Sequence, residues 1–332
     1  MELSVIIVNW NSRDFLRKCL SSIYKYTEQV EYEIIVIDNG SYDGCDEMLV
    51  GEFPGVIFIQ GENNRGFAGA NNVAAKRASG RMLLFMNPDV EVHSSAICAL
   101  CSAARMREDS GAIVPRILNS DGTVQFSCVQ AFPTILNQFL DSDWLRRCLP
   151  NSKLWGNEAL YAGLVEVSKA EGVSGACLLT PRAVFTQLGG FSERYFMYFE
   201  DMDYCNRAFA GGYRNYYVPS SVVTHHGGKA SGGEFSRFAC VMSVVSAEQY
   251  FETNRGRFAA RLFRLATLTK SLLRLLLLVL ALPLAMIPSL RRRILAALRK
   301  WAYILHWALG GQRWALDYHP PRKHPAPSEP VA

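Results

Sequence analysis

Apolar runs and amphipathic stretches alternate along the first hundred residues. Residues 3–8 (LSVIIV) form a continuous apolar run, the pattern of a strand buried on both faces, and Arg13–Tyr26 behind it has helical spacing. Residues 33–37 (EIIVI), 56–60 and 82–86 (MLLFM) read as further strands, with a helix over 68–78 between the last two. This alternation predicts an α/β fold with a mostly parallel sheet flanked by helices. Ligands of such sheets bind beyond the carboxyl ends of the strands. The polar residues Asn9 and Asn11, Asp38, and Asn87 with Asp89 all fall at those ends.

The pattern is less regular beyond residue 120. Residues 121–163 are rich in aromatic and polar side chains and include a helix candidate over 138–149, the composition of a binding loop or lid. Strand character returns over 170–180 (AEGVSGACLLT). Residues 189–207 (GGFSERYFMYFEDMDYCNR) then place Glu200, Asp201 and Asp203 directly behind an aromatic run. Two readings of that cluster stand side by side. Acids at the start of a helix over 203–211 cap its free N–H groups and complement its dipole. In a partly dry setting the same carboxylates bind a cation or are pushed toward basic function. Short strands over 216–218 and 221–224 lead to His225 and His226.

The composition changes after about residue 254. From Arg255 onward there are fourteen Lys and Arg against two acids, leaving twenty-one bases and twenty-eight acids before it. An acidic body therefore carries a strongly basic tail, suited to a polyanionic surface. The tail's uninterrupted apolar core, residues 275–287, is short of the ~20 residues of a spanning helix and is broken by Pro283. Arg291-Arg292-Arg293, Arg299 and Lys300, with Trp301, Trp307 and Trp314 nearby, predict helices lying in a membrane surface. A buried core helix or a dimer interface is the alternative. The expected division is a catalytic domain over 1–254 and a membrane-associating region over 255–332.

At 332 residues, with 49% apolar and 20% charged positions, the chain is neither disordered nor too short for a large core. Nine scattered cysteines lack zinc spacing and a disulfide framework, and Met1 leads straight into a strand without a cleavable leader; both fit a reducing cytosol. Neither a P-loop nor a GxGxxG fingerprint is present, and Gly228-Lys229-Ala230 fails the former, so ATPase and dinucleotide oxidoreductase readings lose support. The lack of a GxSxG elbow weakens a serine hydrolase.

Three features point to a nucleoside-diphosphate site, each with an ordinary alternative. Asp38 can accept from the imide N–H of a uracil or thymine, or close an Asx turn with Asn39 and Gly40. Asn64 to Asn71 (NRGFAGAN) lets backbone approach a sugar or phosphate closely, or is a plain helix start. Asp89, after Asn87-Pro88, can ligate a divalent cation bridging a diphosphate, or close a proline turn. His225 adds a nitrogen ligand compatible with Mn2+ as well as Mg2+.

The motifs LSVIIVNWNS, VIDNGSYDG, NNRGFAGANN, LLFMNPDV, GACLLTPRAVFTQLGGFSERYFMYFEDMDYCNRAFAGGY and VVTHHGGKAS occur in that order over about residues 3–231. Together they resemble a family 2 glycosyltransferase, nearest the bacterial rhamnosyltransferase-like group. The resemblance implies a GT-A (Rossmann-like) fold, a nucleotide-sugar donor, a divalent metal (Mg2+ or Mn2+) and inversion at the anomeric carbon. It assigns Asp38 to base reading, Asn64 and Gly66 to the donor loop, and Asn87-Pro88-Asp89 to the place of the DxD motif. Asn9 and Asn11 fall on the donor side as well. Asp201 corresponds to the general base, with Glu200 beside it and Asp203 as support. His225 corresponds to a histidine near metal and diphosphate, with His226 its neighbour. The first DxD position is Asn87, which carries no charge, so Asp89 would bind the metal alone and weakly until the diphosphate arrives.

The expected reaction is a single displacement moving a sugar, with rhamnose from dTDP-rhamnose first choice and UDP-sugars next, to a hydroxyl of a lipid-linked saccharide for cell-envelope polysaccharide. The expected location is the cytoplasmic face of the plasma membrane, peripheral or monotopic. A processive synthase is one rival, since Gln312-Arg313-Trp314 resembles part of a QxxRW motif in the wrong context. A non-catalytic nucleotide-sugar-binding protein is another. Nucleic acid is not an expected partner, because the leucine run suits lipid better than a phosphate backbone.

Overall fold

Four continuous apolar strands form one half of a nine-stranded sheet: β1 (Leu3–Asn9), β2 (Tyr32–Asp38), β3 (Ile57–Gln60) and β4 (Met82–Met86), all parallel, in the order β3-β2-β1-β4. The computed structural model describes residues 1–142, 145, 148–149, 152–156, 166–227, 236–315 and 318. β4 is buried at every position and β1 at all but one, as strands covered on both faces must be. The covering helices are α1 (Arg13–Tyr26), α2 (Cys45–Glu52), α3 (Gly66–Ala75) and α4 (Ala96–Arg105).

The second half of the sheet is mixed. β5 (Val90–Val92), β6 (Ser110–Leu118), β10 (Cys177–Pro181) and β11 (Arg214–His225) complete the order β4-β10-β6-β11-β5, and β8 (Ser168–Ala170) pairs with β11. β10 runs antiparallel to β4, so its first residues lie at the carboxyl end of β4, where Asn87 N–H donates to Ala176 O (2.9 Å). β11 is antiparallel to β5 with His225 opposite Val90, which puts that histidine beside Asp89. β7 (Val129–Gln130) and β9 (Gly172–Val173) form a small separate sheet.

Several boundaries differ from the pattern for identifiable reasons. The strand expected over 170–180 is divided among β8, β9 and β10 around Gly172 and Gly175. The two strands expected over 216–224 are one strand, whose register against β6 jumps between Val218 and Val222. Pro219 cannot donate to the ladder, and the chain bulges there. The helix expected over 138–149 is α5 (Ile135–Leu140), closed at its start by a Thr134–Asn137 capping box; part of the expected range lies outside the described residues. After α6 (Arg182–Gln187), helix α7 (Glu200–Ala210) begins three residues earlier than expected, so the acids sit inside its first turn.

The C-terminal region is two helices, α8 (Arg237–Leu280) and α9 (Pro288–Ala308), joined by a 3-10 turn over Leu282–Met286. α8 turns sharply at Gly256 (φ 85°, ψ 169°), next to the expected domain boundary. Residues 16 apart on a straight helix lie about 24 Å apart. Here Arg264 makes two 2.8 Å bonds to Glu248, and Phe251 stacks on Phe263 at 4.9 Å, so the two halves fold against each other. Trp307 of α9 is buried in the same cluster, with Arg264 4.7 Å over its ring. Gln312 accepts from Arg237 (2.9 and 2.6 Å) and Trp314 (2.6 Å), tying this end of the chain to the start of α8. No helix among the described residues is long and apolar enough to cross a membrane. All nine cysteines are free thiols, seven of them buried.

One ion pair fastens α7 to the turn before it. Asp203, 1% exposed, accepts from Arg207 Nε (2.7 Å), and the guanidinium also donates to Leu188 O (2.6 Å) and Gly190 O (2.8 Å). Removing the guanidinium strands a buried carboxylate and two carbonyls. Arg207→Met is expected to cost about 3 kcal/mol, read as a lowered denaturant midpoint; a shift under ~1 kcal/mol would mean the pair carries little.

Candidate active site at the sheet edge

A cavity of about 1060 Å³ opens at the carboxyl ends of the strands and is roofed by α8 and α9. Of the residues singled out from the sequence, Asn64, Gly66, Asn87, Asp89, Glu200, Asp201 and His225 line it. Asn9, Asn11, Asp38, Asp203 and His226 do not.

Asp38 is wholly buried, and five donors converge on its carboxylate. Asn9 Nδ2 (3.0 Å) and the Ser41 hydroxyl meet Oδ1; the Ser41 and Tyr42 N–H groups (2.9 and 2.8 Å) and Gln60 Nε2 (2.9 Å) meet Oδ2. The turn-closing alternative describes this geometry, and base reading by Asp38 finds no open lone pair in it. Asp38, Asp43 and Cys45 do have ligating atoms within 4.8 Å of one another. However, burial followed by the two aspartates drives the Cys45 thiol far above its usual value, and Asn9 Nδ2 (3.1 Å) and Arg13 N–H (3.0 Å) occupy Asp43. The group is a hydrogen-bonded knot holding the β2 loop. Next to it, Asn9 Oδ1 and both amide atoms of Asn11 are buried without a hydrogen-bond partner, which leaves polar capacity for a ligand or water.

Asn39, a turn residue by its sequence context, faces the cavity in place of Asp38. Its amide donates to Asn64 Oδ1 (2.9 Å) and Gly66 O (3.1 Å) and accepts from Arg65 N–H (2.9 Å), shaping the start of α3. Gly66 has φ +72°, and a Cβ there would lie 2.2 Å from Phe196 O. No other residue fits that approach.

Asp89, 8% exposed, has Oδ1 3.2 Å from His225 Nε2. The other ring nitrogen, Nδ1, is 2.9 Å from Gln125 Oε1, whose amide NH2 is directed to Asn119 Oδ1 (3.1 Å). That assignment puts the imidazole proton on Nδ1 and turns the Nε2 lone pair toward the Asp89 carboxylate, with Asn87 Nδ2 3.3 Å away. Two acceptors facing each other at 3.2 Å require a shared proton or cation. Hard oxygen beside imidazole suits Mg2+ or Mn2+, and Gln125 is the outer partner such a histidine needs. His226 faces away, between Glu91 Oε1 (2.9 Å) and Ser120 Oγ (2.7 Å), while its N–H donates to Asp89 O (3.0 Å) and holds that loop.

Glu200 and Asp201 enter from the other side on the first turn of α7. Tyr198 (φ 71°) and Phe199 (φ 67°) precede them in the left-handed region. Asp201 Oδ2 accepts from Gly175 N–H (2.8 Å) and Oδ1 from Met202 N–H (2.7 Å). Glu200 is 6% exposed, and its Oε2 has no partner. Burial first, then the Asp201 charge, raises Glu200 well above the carboxylate range; burial also raises Asp201, against the lowering effect of its N–H donors. The pair therefore favours a single negative charge, held on the residue with donors, Asp201.

The fold places this site among known proteins. The mannosyltransferase PcManGT from Pyrobaculum calidifontis, solved in complex with GDP-Man and Mn2+, superposes with a TM-score of 0.54 at 15% identity, over 94% of this chain and 88% of its own. The architecture is GT-A: a mixed α/β sheet with its site at the strand ends, here with a C-terminal helical region. Residues 4–158 match the description Glycosyl transferase family 2. The N-acetylglucosaminyl-diphospho-decaprenol L-rhamnosyltransferase of Mycobacterium tuberculosis is 32% identical over 246 residues, 69% of this chain and 78% of its own. The rhamnosyltransferase WbbL of Escherichia coli K12 is 25% identical over 70% of this chain and 86% of its own. The chain belongs to glycosyl transferase family 2.

A raised folded-state pKa gives stability that is complete below the unfolded value and is withdrawn as pH rises through the folded one. Glu200 and Asp201 both have this sign. Glu200→Gln keeps the shape without the charge, so its thermal midpoint should gain on the parent's between pH 5 and pH 8. A constant gap across that range would mean Glu200 does not titrate in it.

Proposed function

We propose that the chain is a metal-dependent, inverting glycosyltransferase that passes a sugar from a nucleoside diphosphate to a hydroxyl of a lipid-linked saccharide. Rhamnose from dTDP-rhamnose is the first choice, with UDP-sugars next. The observation that carries the reading is one cavity holding both the Asp89–His225 pair and the Glu200 and Asp201 carboxyls. The names of the mycobacterial and E. coli relatives support the sugar, and the mycobacterial name supports a lipid diphosphate acceptor.

In this reading Asp89 and His225, with Asn87 beside them, would hold Mg2+ or Mn2+, which supplies positive charge against the diphosphate. Asn39, Asn64 and the bare backbone at Gly66 position the donor. Asp201 Oδ2, already bonded to Gly175 N–H, has a second lone-pair direction with which to take the acceptor proton. The acceptor oxygen forms the new bond to the anomeric carbon as the bond to the departing diphosphate breaks, and the proton passes to Asp201. A raised carboxylate value brings Asp201 closer to the working pH of a base. Glu200, kept neutral, avoids a second negative charge beside it, and Asp203 holds the helix through Arg207.

The test uses purified full-length protein with a metal ion, a panel of nucleotide sugars and a GlcNAc-diphosphate lipid, reading nucleoside-diphosphate release. Asp201→Asn should lower turnover at least ~100-fold while donor affinity in calorimetry stays within about twofold. Loss of donor binding would assign Asp201 to the donor instead.

The membrane surface belongs to the same proposal, at the cytoplasmic face of the plasma membrane. Leu272, Leu276 and Leu280 are 53%, 57% and 68% exposed on consecutive turns of α8, with Leu273 and Leu277 alongside. Replacing Leu272, Leu276 and Leu280 with Asp touches no core. It should cut co-sedimentation with phospholipid vesicles at least ~10-fold, since each buried leucine contributes about 2 kcal/mol. Unchanged sedimentation would remove the membrane assignment.

A further inference from the structure

We propose that the helical wall of the cavity is a diphosphate subsite for the anionic head of a lipid-linked acceptor, an inference that rests on the glycosyltransferase reading above. Three cations line that wall: Lys270 and Arg274 from α8, and Lys300 from α9. Lys270 and Arg274 lie on one face of α8, one turn apart. Lys300 occupies the cavity-facing stripe of α9 with Ala297 and Ile304.

Lys270 anchors the wall and is not a solvated surface charge. Lys270 is only 9% exposed; it donates to the Gln138 carbonyl (2.7 Å) and lies 5.5 Å from the centre of the Trp301 ring. Arg274 lies 5.8 Å from the same ring. Thus one indole is flanked by two cations, and both are held in place by it. Asp141, following α5, also lines the cavity, so the charge presented by this wall is net positive. A diphosphate is complementary to that charge, and Arg274 can grip it through two donors at once.

The same helical turns identify what the diphosphate is attached to. Lys270 and Arg274 point inward while Leu272, Leu273, Leu276 and Leu277 of the neighbouring positions are exposed outward. A prenyl chain along the outer leucines would bring its head group to the inner cations across the width of one helix, about 10 Å. The cavity, about 1060 Å³, exceeds what one nucleotide sugar requires and has room for an acceptor head group beside a donor. The sheet-edge wall carries Asp89, Glu200 and Asp201, so the two walls differ in sign, and the diphosphates of donor and acceptor would be read by different devices.

The experiment measures binding without requiring turnover. Detergent-solubilised full-length protein, with UDP and Mn2+ in excess to fill the donor side, is titrated with farnesyl diphosphate while tryptophan fluorescence is followed. Trp301→Phe identifies the responding ring. The parent should bind, and the Arg274→Gln/Lys300→Gln double variant at least ~10-fold more weakly, the scale of one lost charge-assisted contact. Equal affinity in the two, or no binding by the parent, overturns the subsite. Inorganic pyrophosphate binding as tightly as farnesyl diphosphate overturns the lipid assignment. If the double variant keeps its farnesyl diphosphate affinity and loses only its attachment to anionic vesicles, the cations read the membrane surface and the inference fails. Absence of sugar transfer in the donor panel would sink the glycosyltransferase reading separately, whatever the fluorescence shows.

Discussion

Two consecutive aromatic residues at positive φ, Tyr198 and Phe199, fix where Glu200 and Asp201 stand. Side chains other than glycine's cost about 1–2 kcal/mol each in that region, so the turn persists only because its surroundings over-determine it. Three bonds do so: Phe67 N–H to Phe196 O (2.9 Å), Ser246 Oγ to Met197 O (2.8 Å), and Asp203 N–H to Phe199 O (2.8 Å). Phe199 also packs on Tyr250 at 5.7 Å. The clamps come from α3, α8 and α7 respectively, so the start of α3, the C-terminal helix and the acid-bearing helix all meet on one strained turn. Gly66 is the counterpart of that strain, because its missing Cβ lets the α3 entry press against Phe196 O.

Much of the parallel half of the sheet was legible because buried strands must be continuous and apolar; α1 and β4 begin and end where the spacing put them. The mixed half was less so. β6 contains Pro115, and β11 contains Pro219 and a three-residue bulge, so neither has a clean period, and only long-range pairing makes them strands. The site was legible to a similar depth. Asn87, Asp89, His225, Glu200 and Asp201 line one cavity from three separated segments of the chain. Asp38 did not follow, because a carboxylate at a strand end serves equally well as a loop anchor, and only the donors around it distinguish the two. Asn39, Gln125 and Gly175 act through hydrogen bonds to partners distant in sequence, a kind of role with no local signature.

The C-terminal region shows why composition misjudged its relation to the body. Its basic and apolar content describes what it presents outward, yet the inner face of α8 and α9 is the cavity roof. Arg264 with Glu248 and Trp307 folds the helix back at Gly256, and Lys270 bonds across to α5. A surface-seeking element is thereby made part of the site, so whatever positions these helices also shapes the cavity.

The two acid pairs obey one electrostatic rule with opposite outcomes. At Glu200–Asp201, burial and the neighbouring charge disfavour ionising both carboxyls, and the Gly175 and Met202 N–H groups favour the charge on Asp201. At Asp89–His225, the Gln125 bond turns a lone pair onto a carboxylate, and a proton or a cation satisfies the two acceptors. The first arrangement stores a proton-accepting position, and the second stores an affinity for positive charge. A displacement in which a proton leaves one substrate and a diphosphate leaves the other requires both, and the strained turn at Tyr198–Phe199 keeps them in one cavity.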